Sequence, residues 1–266
     1  MIRDITIGQY YPIESKIHTL DPRTKLAMTF GFIISLFFGT NLLIYLIAAT
    51  ALAIVIKVSK VPFKYMVKGL KSIMILIVFT VIINIFMTQG DPIFTWRFLT
   101  ITREGLVLAF SMAVRLILLI IGSSILTLTT SPIDLTDAIE RLLKPFERIR
   151  VPAHEIAMMM TIALRFIPIL LEETDKIMKA QMARGADFET GGLIKKAKSL
   201  VPLLVPLFIS AFRRADELAL AMEARCYRGG KGRTRMKSLA YQRQDAIMYG
   251  LIIGYLLMMV GIGIVL

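Results

Sequence analysis

Residues 26–56 read LAMTFGFIISLFFGTNLLIYLIAATALAIVI, a stretch without a single Asp, Glu, Lys or Arg. A helix needs roughly 20 apolar residues to cross a hydrocarbon core of about 30 Å, so the stretch fits one long tilted helix or two short ones. Gly39-Thr40-Asn41 interrupts it near the middle, and basic residues flank it on both sides. Because Lys and Arg mark the cytoplasmic side of a membrane protein, we predict a hairpin with arms at 26–39 and 42–56.

Three further apolar segments follow, at residues 72–88, 105–130 and 244–266. With the two arms of the hairpin they make about five membrane segments. The sequence therefore predicts an all-α, multi-pass protein of the cell (plasma) membrane with its N-terminus in the cytoplasm. The segment at 105–130 contains one charge, Arg115. Such a residue is either functional, or it snorkels or pairs with a carboxylate.

The composition agrees with a membrane protein, since 56% of the residues are apolar and 19% are charged. The formal net charge of +13 would otherwise suggest a nucleic-acid partner. However, residues 131–243 contain 20 Lys+Arg against 13 Asp+Glu, on the side predicted to be cytoplasmic. We therefore interpret the charge as mainly a topology signal and expect no nucleic-acid partner. One Cys and two His supply neither a disulfide nor a recognisable metal site.

Residues 131–243 are charged and rich in helix-forming residues, and they predict a cytoplasmic domain of long amphipathic helices. Two long helices are expected in it, at about 153–185 and 193–228, each apolar at its start and polar at its end. The predicted organisation is thus an N-terminal region with four membrane segments over 1–130, the cytoplasmic domain over 131–243, and a C-terminal membrane helix over 244–266.

The two long helices repeat each other after a shift of 41 residues, which superposes Ala183-Arg184 on Ala224-Arg225. A small residue follows in both copies, Gly185 in the first and Cys226 in the second. Small residues let another surface approach closely, and the arginine between them can form a bidentate pair with a partner's carboxylate. Alternatively, an arginine near a helix C-terminus only offsets the helix dipole, by a few tenths to about 1 kcal/mol. That role does not require the matched small residues.

At these motifs the sequence resembles the transmembrane T component of energy-coupling factor (ECF) transporters, the EcfT/CbiQ family. Residues 18–26 (HTLDPRTKL) and Tyr10-Tyr11-Pro12 resemble the family's opening before its first membrane segment. The paired Ala-Arg-Gly-type motifs are its hallmark. The second copy departs from the family's pattern because Cys226 stands where Gly is common, although Cys is also small.

The resemblance implies the scaffold of a vitamin-uptake ABC transporter, in which two long coupling helices cross as an X. Their arginine-containing ends would contact two ABC ATPase subunits of the A and A′ types, and these subunits, not this chain, would use ATP-Mg. The implied ATPase contacts are Ala183, Arg184, Gly185, Ala224, Arg225 and Cys226. The apolar stretches 158–171 and 200–212 would support a vitamin-binding S component through Met158, Met159, Ile162, Phe166, Leu203, Leu204, Leu207 and Phe208. The prolines Pro168, Pro202 and Pro206 would either bend during motion or simply start or kink helices.

No catalytic constellation accompanies these motifs. Gly229-Gly230-Lys231 lacks the first glycine of a phosphate-binding loop, since Arg225 stands there, and His154-Glu155 lacks the second histidine of a zinc motif. We therefore expect a non-catalytic subunit that binds no cofactor and no metal. The alternative is a self-sufficient secondary carrier or channel with Arg115 and Asn84 in its substrate pathway. Such carriers usually repeat their membrane helices, whereas the repeat here lies in the cytoplasmic domain.

Overall fold

The computed structural model of the chain describes residues 10–39, 41–96, 99–186, 188, 192–230 and 239–265. Eight α-helices account for most of them: α1 Pro22–Ser35, α2 Leu42–Ser59, α3 Phe63–Met87, α4 Arg103–Thr129, α5 Pro132–Leu143, α6 Ala153–Ala183, α7 Leu193–Ala224 and α8 Arg243–Val265. A short antiparallel β-hairpin of β1 (Pro92–Trp96) and β2 (Leu99–Thr102) precedes α4. The predicted class, an all-α polytopic membrane protein, is confirmed.

The described helices form two compact units. One unit, here called the membrane unit, covers residues 10–138 and 239–265. The other, called the hairpin unit, covers residues 139–230. The boundary falls within α5, close to the predicted start of the cytoplasmic domain. The three-part division of the chain made from the sequence remains a prediction.

Four described helices are long and apolar enough to cross a membrane, namely α2, α4, α6 and α8. A fifth span results if α3, which bends by 60° between Lys71 and Ile73, is counted as one. The first predicted segment differs from the others because α1 has only 14 residues, or about 21 Å. Helix α1 is therefore shorter than a hydrocarbon core of about 30 Å. The candidate spans therefore include α6 and not α1, although the sequence predicted α6 to lie in the cytoplasmic domain.

The core of the membrane unit lies between α2, α3 and α4, with α1 and α8 packed beside it. Buried side chains of α2, such as Ile44, Ala48 and Leu52, meet Ile121, Ile125 and other apolar residues of α4. Helix α1 approaches α4 closely at Gly122, where an added Cβ atom would lie 2.7 Å from the Phe32 ring. A larger residue there would separate the two helices.

The start of α1 is held by buried ionic groups. Asp21 caps the helix by accepting from the Arg23 backbone N–H at 2.9 Å, and it also forms an ion pair with the Arg23 guanidinium at 2.7 Å. The guanidinium lies 3.8 Å from the centre of the Tyr241 ring. Buried Asp245, at the start of α8, accepts the Asp21 backbone N–H at 3.0 Å. The N-terminal segment and α8 are thereby joined through charge-assisted hydrogen bonds.

Lys25 joins the same region to the end of α4. Its Nζ atom donates to the carbonyl oxygens of His18, at 3.0 Å, and Thr129, at 2.9 Å. Thr129 is the last residue of α4, where carbonyl groups lack partners within the helix. Burial lowers the pKa of the Lys25 amine from 10.5 to about 8. Burial and the neighbouring charge of Lys25 also lower the pKa of the His18 imidazole below its usual value.

Arg115 has structural partners inside the membrane unit. Its Nη2 atom donates to the Tyr45 hydroxyl at 2.8 Å, and its guanidinium lies 5.2 Å from the centre of the Phe37 ring. The partner is therefore a hydroxyl group flanked by an aromatic ring, and not the carboxylate considered from the sequence. Asn84, the other residue of the carrier alternative, donates to the Thr80 carbonyl of its own helix at 2.9 Å.

Replacing Asp245 with alanine should destabilise the membrane unit, because the carboxylate accepts the backbone N–H groups of Asp21 and Gln242. An unsatisfied buried donor costs about 1–3 kcal/mol, so we expect Asp245→Ala to lower the midpoint of thermal unfolding in detergent by several degrees. The exposed Asp91→Ala is the matched control and should unfold like the wild type. Equal unfolding temperatures for the two variants would contradict the role assigned to Asp245.

Candidate functional site

Helices α6 and α7 run in opposite directions and contact each other at their middle and near both ends of α6. Three contacts show this, in order along α6: His154 with Tyr227, Glu173 with Arg214, and Gln181 with Pro202. Residues early in α6 therefore face residues at or just beyond the end of α7, and the reverse holds at the other end. An X-shaped crossing, as implied by the resemblance, would have to be a shallow one.

A partly buried ion pair joins the two helices at the middle of this antiparallel arrangement. The Arg214 guanidinium donates to Glu173 Oε2 at 2.9 Å, and the Ser210 hydroxyl donates to the other oxygen of the same carboxylate. Both oxygens of Glu173 are thus used. Because the groups are partly shielded from water, the pair resists sliding of one helix along the other more than an exposed pair would.

Helix α6 ends in two characteristic hydrogen bonds. The Gly185 N–H donates to the Met182 carbonyl at 2.9 Å, and the Ala186 N–H donates to the Gln181 carbonyl at 3.0 Å. Gly185 has φ +90°. This combination is a Schellman motif, in which a left-handed residue directly after the helix reverses the chain and satisfies the last carbonyls.

Helix α7 ends in the same way. The Cys226 N–H donates to the Glu223 carbonyl at 2.8 Å, and the Tyr227 N–H donates to the Met222 carbonyl at 3.0 Å. Cys226 has φ +54°. A left-handed residue with a Cβ atom costs about 1–2 kcal/mol relative to glycine. The second copy therefore keeps the geometry of the first in spite of its different residue.

The geometry explains why the third position of each motif matters. The sequence predicted that the first long helix ends at Gly185. For Cys226 it indicated only that the residue is small. In the structure both residues occupy the left-handed position, and the preceding arginines have nearly the same conformation, with φ −88° for Arg184 and −90° for Arg225. Each arginine is exposed, as are the residues on both sides of it.

The structure places the two motifs at opposite ends of the α6–α7 pair. Gln181 contacts Pro202, Arg184 lies 3 residues after Gln181, and Arg225 lies 23 residues after Pro202. The two arginines are therefore roughly 40 Å apart along the pair at 1.5 Å per residue. The six predicted ATPase-contact residues are therefore not brought together into one site. They form two separate exposed ends, here called the α6 end (Ala183-Arg184-Gly185) and the α7 end (Ala224-Arg225-Cys226).

The eight predicted platform residues also fall into separate groups. Met158, Ile162 and Phe166 are half-buried and face the end of α7, where they line two adjoining cavities of about 320 and 400 Å³. Met159 is exposed on the outer side of α6. Leu203 is buried near the end of α6, with only 7% of its surface accessible. Leu207 is half-buried.

The exposed apolar surface is concentrated on α7. Phe208 and Leu204 are exposed there, together with four residues outside the set of eight predicted platform residues: Val201, Val205, Ile209 and Phe212. Spacings of three, four and seven residues place most of them on one face of the helix. That periodicity was available in the sequence, and it would have identified Val201, Val205 and Phe212. We call this set the α7 stripe.

Metal ligands are not grouped in the part of the chain that the structure describes, since no cluster of three His, Cys, Asp or Glu side chains occurs there. His154 instead contacts Glu140 and Tyr227.

Comparison with known proteins identifies the family. The family model CbiQ, described as cobalt transport protein, matches residues 14–236. The energy-coupling factor transporter transmembrane protein EcfT of Clostridium kluyveri is 63% identical over 249 residues, covering 93% of this chain and 92% of the relative. EcfT of Ruminiclostridium cellulolyticum is 59% identical and covers 96% of both chains. EcfT of Bacillus subtilis is 47% identical over 92% of this chain and 93% of its own length. Since the family model matches residues 14–236 and each of these relatives covers more than nine-tenths of the chain, the chain belongs to the CbiQ/EcfT family of energy-coupling factor transporter transmembrane proteins.

Proposed function

We propose that this chain is the non-catalytic coupling subunit of an ECF-type ABC importer. In this proposal it transmits ATP-driven motion of two ATPase subunits to a vitamin-binding S component. One observation carries the proposal: two identically capped helix ends, each with an exposed arginine, lie at opposite ends of one antiparallel pair. Two equivalent ends roughly 40 Å apart along the pair suit two related partners better than a single one.

The chemistry of the ends fits carboxylate-lined grooves on two ABC ATPases of the A and A′ types. An arginine is always charged and forms bidentate pairs with carboxylates. The flanking residues Ala183, Gly185, Ala224 and Cys226 are small and exposed, so a groove can close around each arginine. The ATPases, in this proposal, use ATP-Mg, and this chain binds no cofactor.

The α7 stripe is the proposed seat of the S component, which is itself an apolar membrane protein. Phe208 and Phe212 have 60% and 69% of their surfaces exposed and belong to a contiguous apolar patch, which marks an interaction surface. Met159 adds a further exposed apolar side chain on α6. The half-buried Ile162 and Phe166 support α7 from beneath and do not form the contact surface.

The α6–α7 pair is suited to transmit motion because its helices are joined at their middle and near both ends. A displacement of the α6 end or the α7 end therefore moves the α7 stripe with it. Pro168, Pro202 and Pro206 lie inside continuous helices. They do not start helices, and each removes one backbone hydrogen bond, which allows bending.

Helix α6 is apolar enough to cross a membrane, but its pairing favours a location outside the bilayer. It contacts α7 or the residues just beyond it near its start, at its middle and near its end, and α7 is not among the candidate spans. The pair also carries the Glu173–Arg214 ion pair. In the proposed topology the N-terminus and the α6–α7 pair are cytoplasmic, and the protein is in the plasma membrane of the cell.

A self-sufficient carrier is supported less well. Its two candidate residues, Arg115 and Asn84, are engaged by the fold through Tyr45 and through the helix backbone. The family description mentions cobalt and the relatives' names mention no substrate. This agrees with a scaffold whose substrate is chosen by another subunit.

Reversing both arginine charges should remove the ATPases. We expect Arg184→Glu together with Arg225→Glu to abolish copurification of the ATPase subunits, because each new carboxylate would face a carboxylate of the partner. Membrane insertion should be unchanged, since both positions are exposed. Affinity purification from membranes measures both results.

The matched control reverses two other exposed arginines of the same helices, Arg165 on α6 and Arg213 on α7. This variant has the same net charge as the test variant and should retain both ATPases. If the Arg184/Arg225 variant also retains its ATPases, the proposed docking at the helix ends is wrong.

A charge on the α7 stripe should release the S component. Phe208→Asp places a carboxylate in the proposed apolar interface, and we expect about thirtyfold weaker association, equivalent to about 2 kcal/mol. Leu220→Asp is the control, because Leu220 is also an exposed apolar residue of α7, with 65% of its surface accessible, but lies outside the stripe. Equal loss in both variants, measured by copurification of the S component, would count against the stripe.

A further inference from the structure

The imidazole of His154 joins two other segments of the hairpin unit at the start of α6. Its Nδ1 atom lies 3.2 Å from Glu140 Oε1 on α5, and its Nε2 atom lies 3.2 Å from the Tyr227 hydroxyl. The carboxylate only accepts, so the ring donates Nδ1–H to it, and Nε2 shares a hydrogen bond with the Tyr227 hydroxyl, which can donate or accept. Both ring nitrogens are therefore used in holding other parts of the protein.

The chain that follows the α7 end folds directly onto this imidazole. A Cβ atom at Gly230 would lie 2.5 Å from His154 Cγ and Cδ2, so the backbone of Gly230 rests against the ring. Gly229, with φ +84°, adopts the left-handed conformation in which glycine is favoured. Two adjacent glycines thus allow the chain to turn and to approach His154 closely.

Tyr227 links this contact to the arginine motif. Its backbone N–H completes the Schellman motif by donating to the Met222 carbonyl at 3.0 Å, and its side-chain hydroxyl reaches His154. The same residue therefore belongs both to the cap that orients Arg225 and to the contact with α6. A loss of the side-chain contact frees the residue that closes the cap.

We propose that Glu140, His154 and Tyr227 form a clasp that positions the α7 end, with His154 as a positioning residue for Arg225. The proposal rests on the proposed function in one respect, that Arg225 binds an ATPase. The clasp acts on one helix end only, because the α6 end lies at the far end of the pair. The two ends are alike in sequence, but only the α7 end is held by His154. A substitution of His154 is therefore expected to change the mobility of the α7 end and not that of the α6 end.

The cost of a left-handed cysteine makes such a clasp useful. Cys226 is strained in the left-handed conformation because it has a Cβ atom, whereas Gly185 is not. The hydrogen bonds of Tyr227 and His154 offset this strain. The side chains of His154 and Glu140 are 27% and 18% exposed, so the clasp is accessible to water and adds little to the stability of the core.

The chain's single cysteine permits a direct test, because Cys226 is exposed and lies within the α7 end. A nitroxide attached to Cys226 reports the mobility of that end by electron paramagnetic resonance. Tyr227→Phe removes one hydroxyl and keeps the ring, and His154→Ala removes the whole clasp. We expect the ratio of mobile to immobile label to rise roughly fivefold, which corresponds to one hydrogen bond of about 1 kcal/mol.

The matched control moves the label to the other end. In a Cys226→Ser chain with Gly185→Cys, which places the label at the equivalent left-handed position, the same two substitutions should leave the spectrum unchanged. Equal mobility of the Cys226 label in the wild type and in both variants overturns the clasp. A similar rise at both ends overturns it as well, because it would indicate general loosening of the α6–α7 pair.

A second experiment measures how well the complex retains its ATPase subunits. In an Arg184→Glu background, where only the α7 end can dock, His154→Ala should reduce ATPase retention about fivefold. In an Arg225→Glu background it should have no effect, and an equal loss in both backgrounds overturns a positioning role. If the label loosens as expected but neither arginine affects the ATPases, the proposed function fails while the clasp stands.

Discussion

The antiparallel pairing of α6 and α7 determines the position of every proposed contact in this protein. The Glu173–Arg214 ion pair at its middle and the contacts near both ends set the register between the helices. In this register the apolar start of each helix faces the polar end of the other. The two arginine motifs are therefore separated by the length of the pair, and the apolar stripe of α7 is left exposed between them.

The membrane unit buries charged groups where α1 and α8 begin and where α4 ends. Asp21, Arg23, Lys25 and Asp245 are all buried, and each has a partner that satisfies its charge or hydrogen bonds. These residues join α1, α4 and α8 near the end of α4. Since α5 begins three residues after α4 ends, this group of charges also fixes the position from which the chain leaves the membrane unit.

The sequence was sufficient for the fold class, the long helices and the arginine repeat, because apolar runs and caps act over short distances. It overestimated α1, because the first predicted segment extends to Gly39 while the helix ends at Ser35. The left-handed state of Cys226 was not predictable from its residue type, since only the comparison with Gly185 suggests it.

The contact of His154 with Tyr227 joins residues 73 positions apart, which no local pattern reveals. The platform residues divided into two groups because the direction of pairing, and not composition, decides which side chains face α7.

Site-specific photo-crosslinking tests the central claim, that the two helix ends bind two separate ATPase subunits. A photoreactive amino acid at Ala183 or at Ala224 stands beside an arginine without replacing it, and both positions are exposed. The account predicts that each position crosslinks to an ATPase in the assembled complex, and that a chain with both crosslinkers acquires two. Crosslinks to the S component, or to a single ATPase copy from both positions, would contradict it.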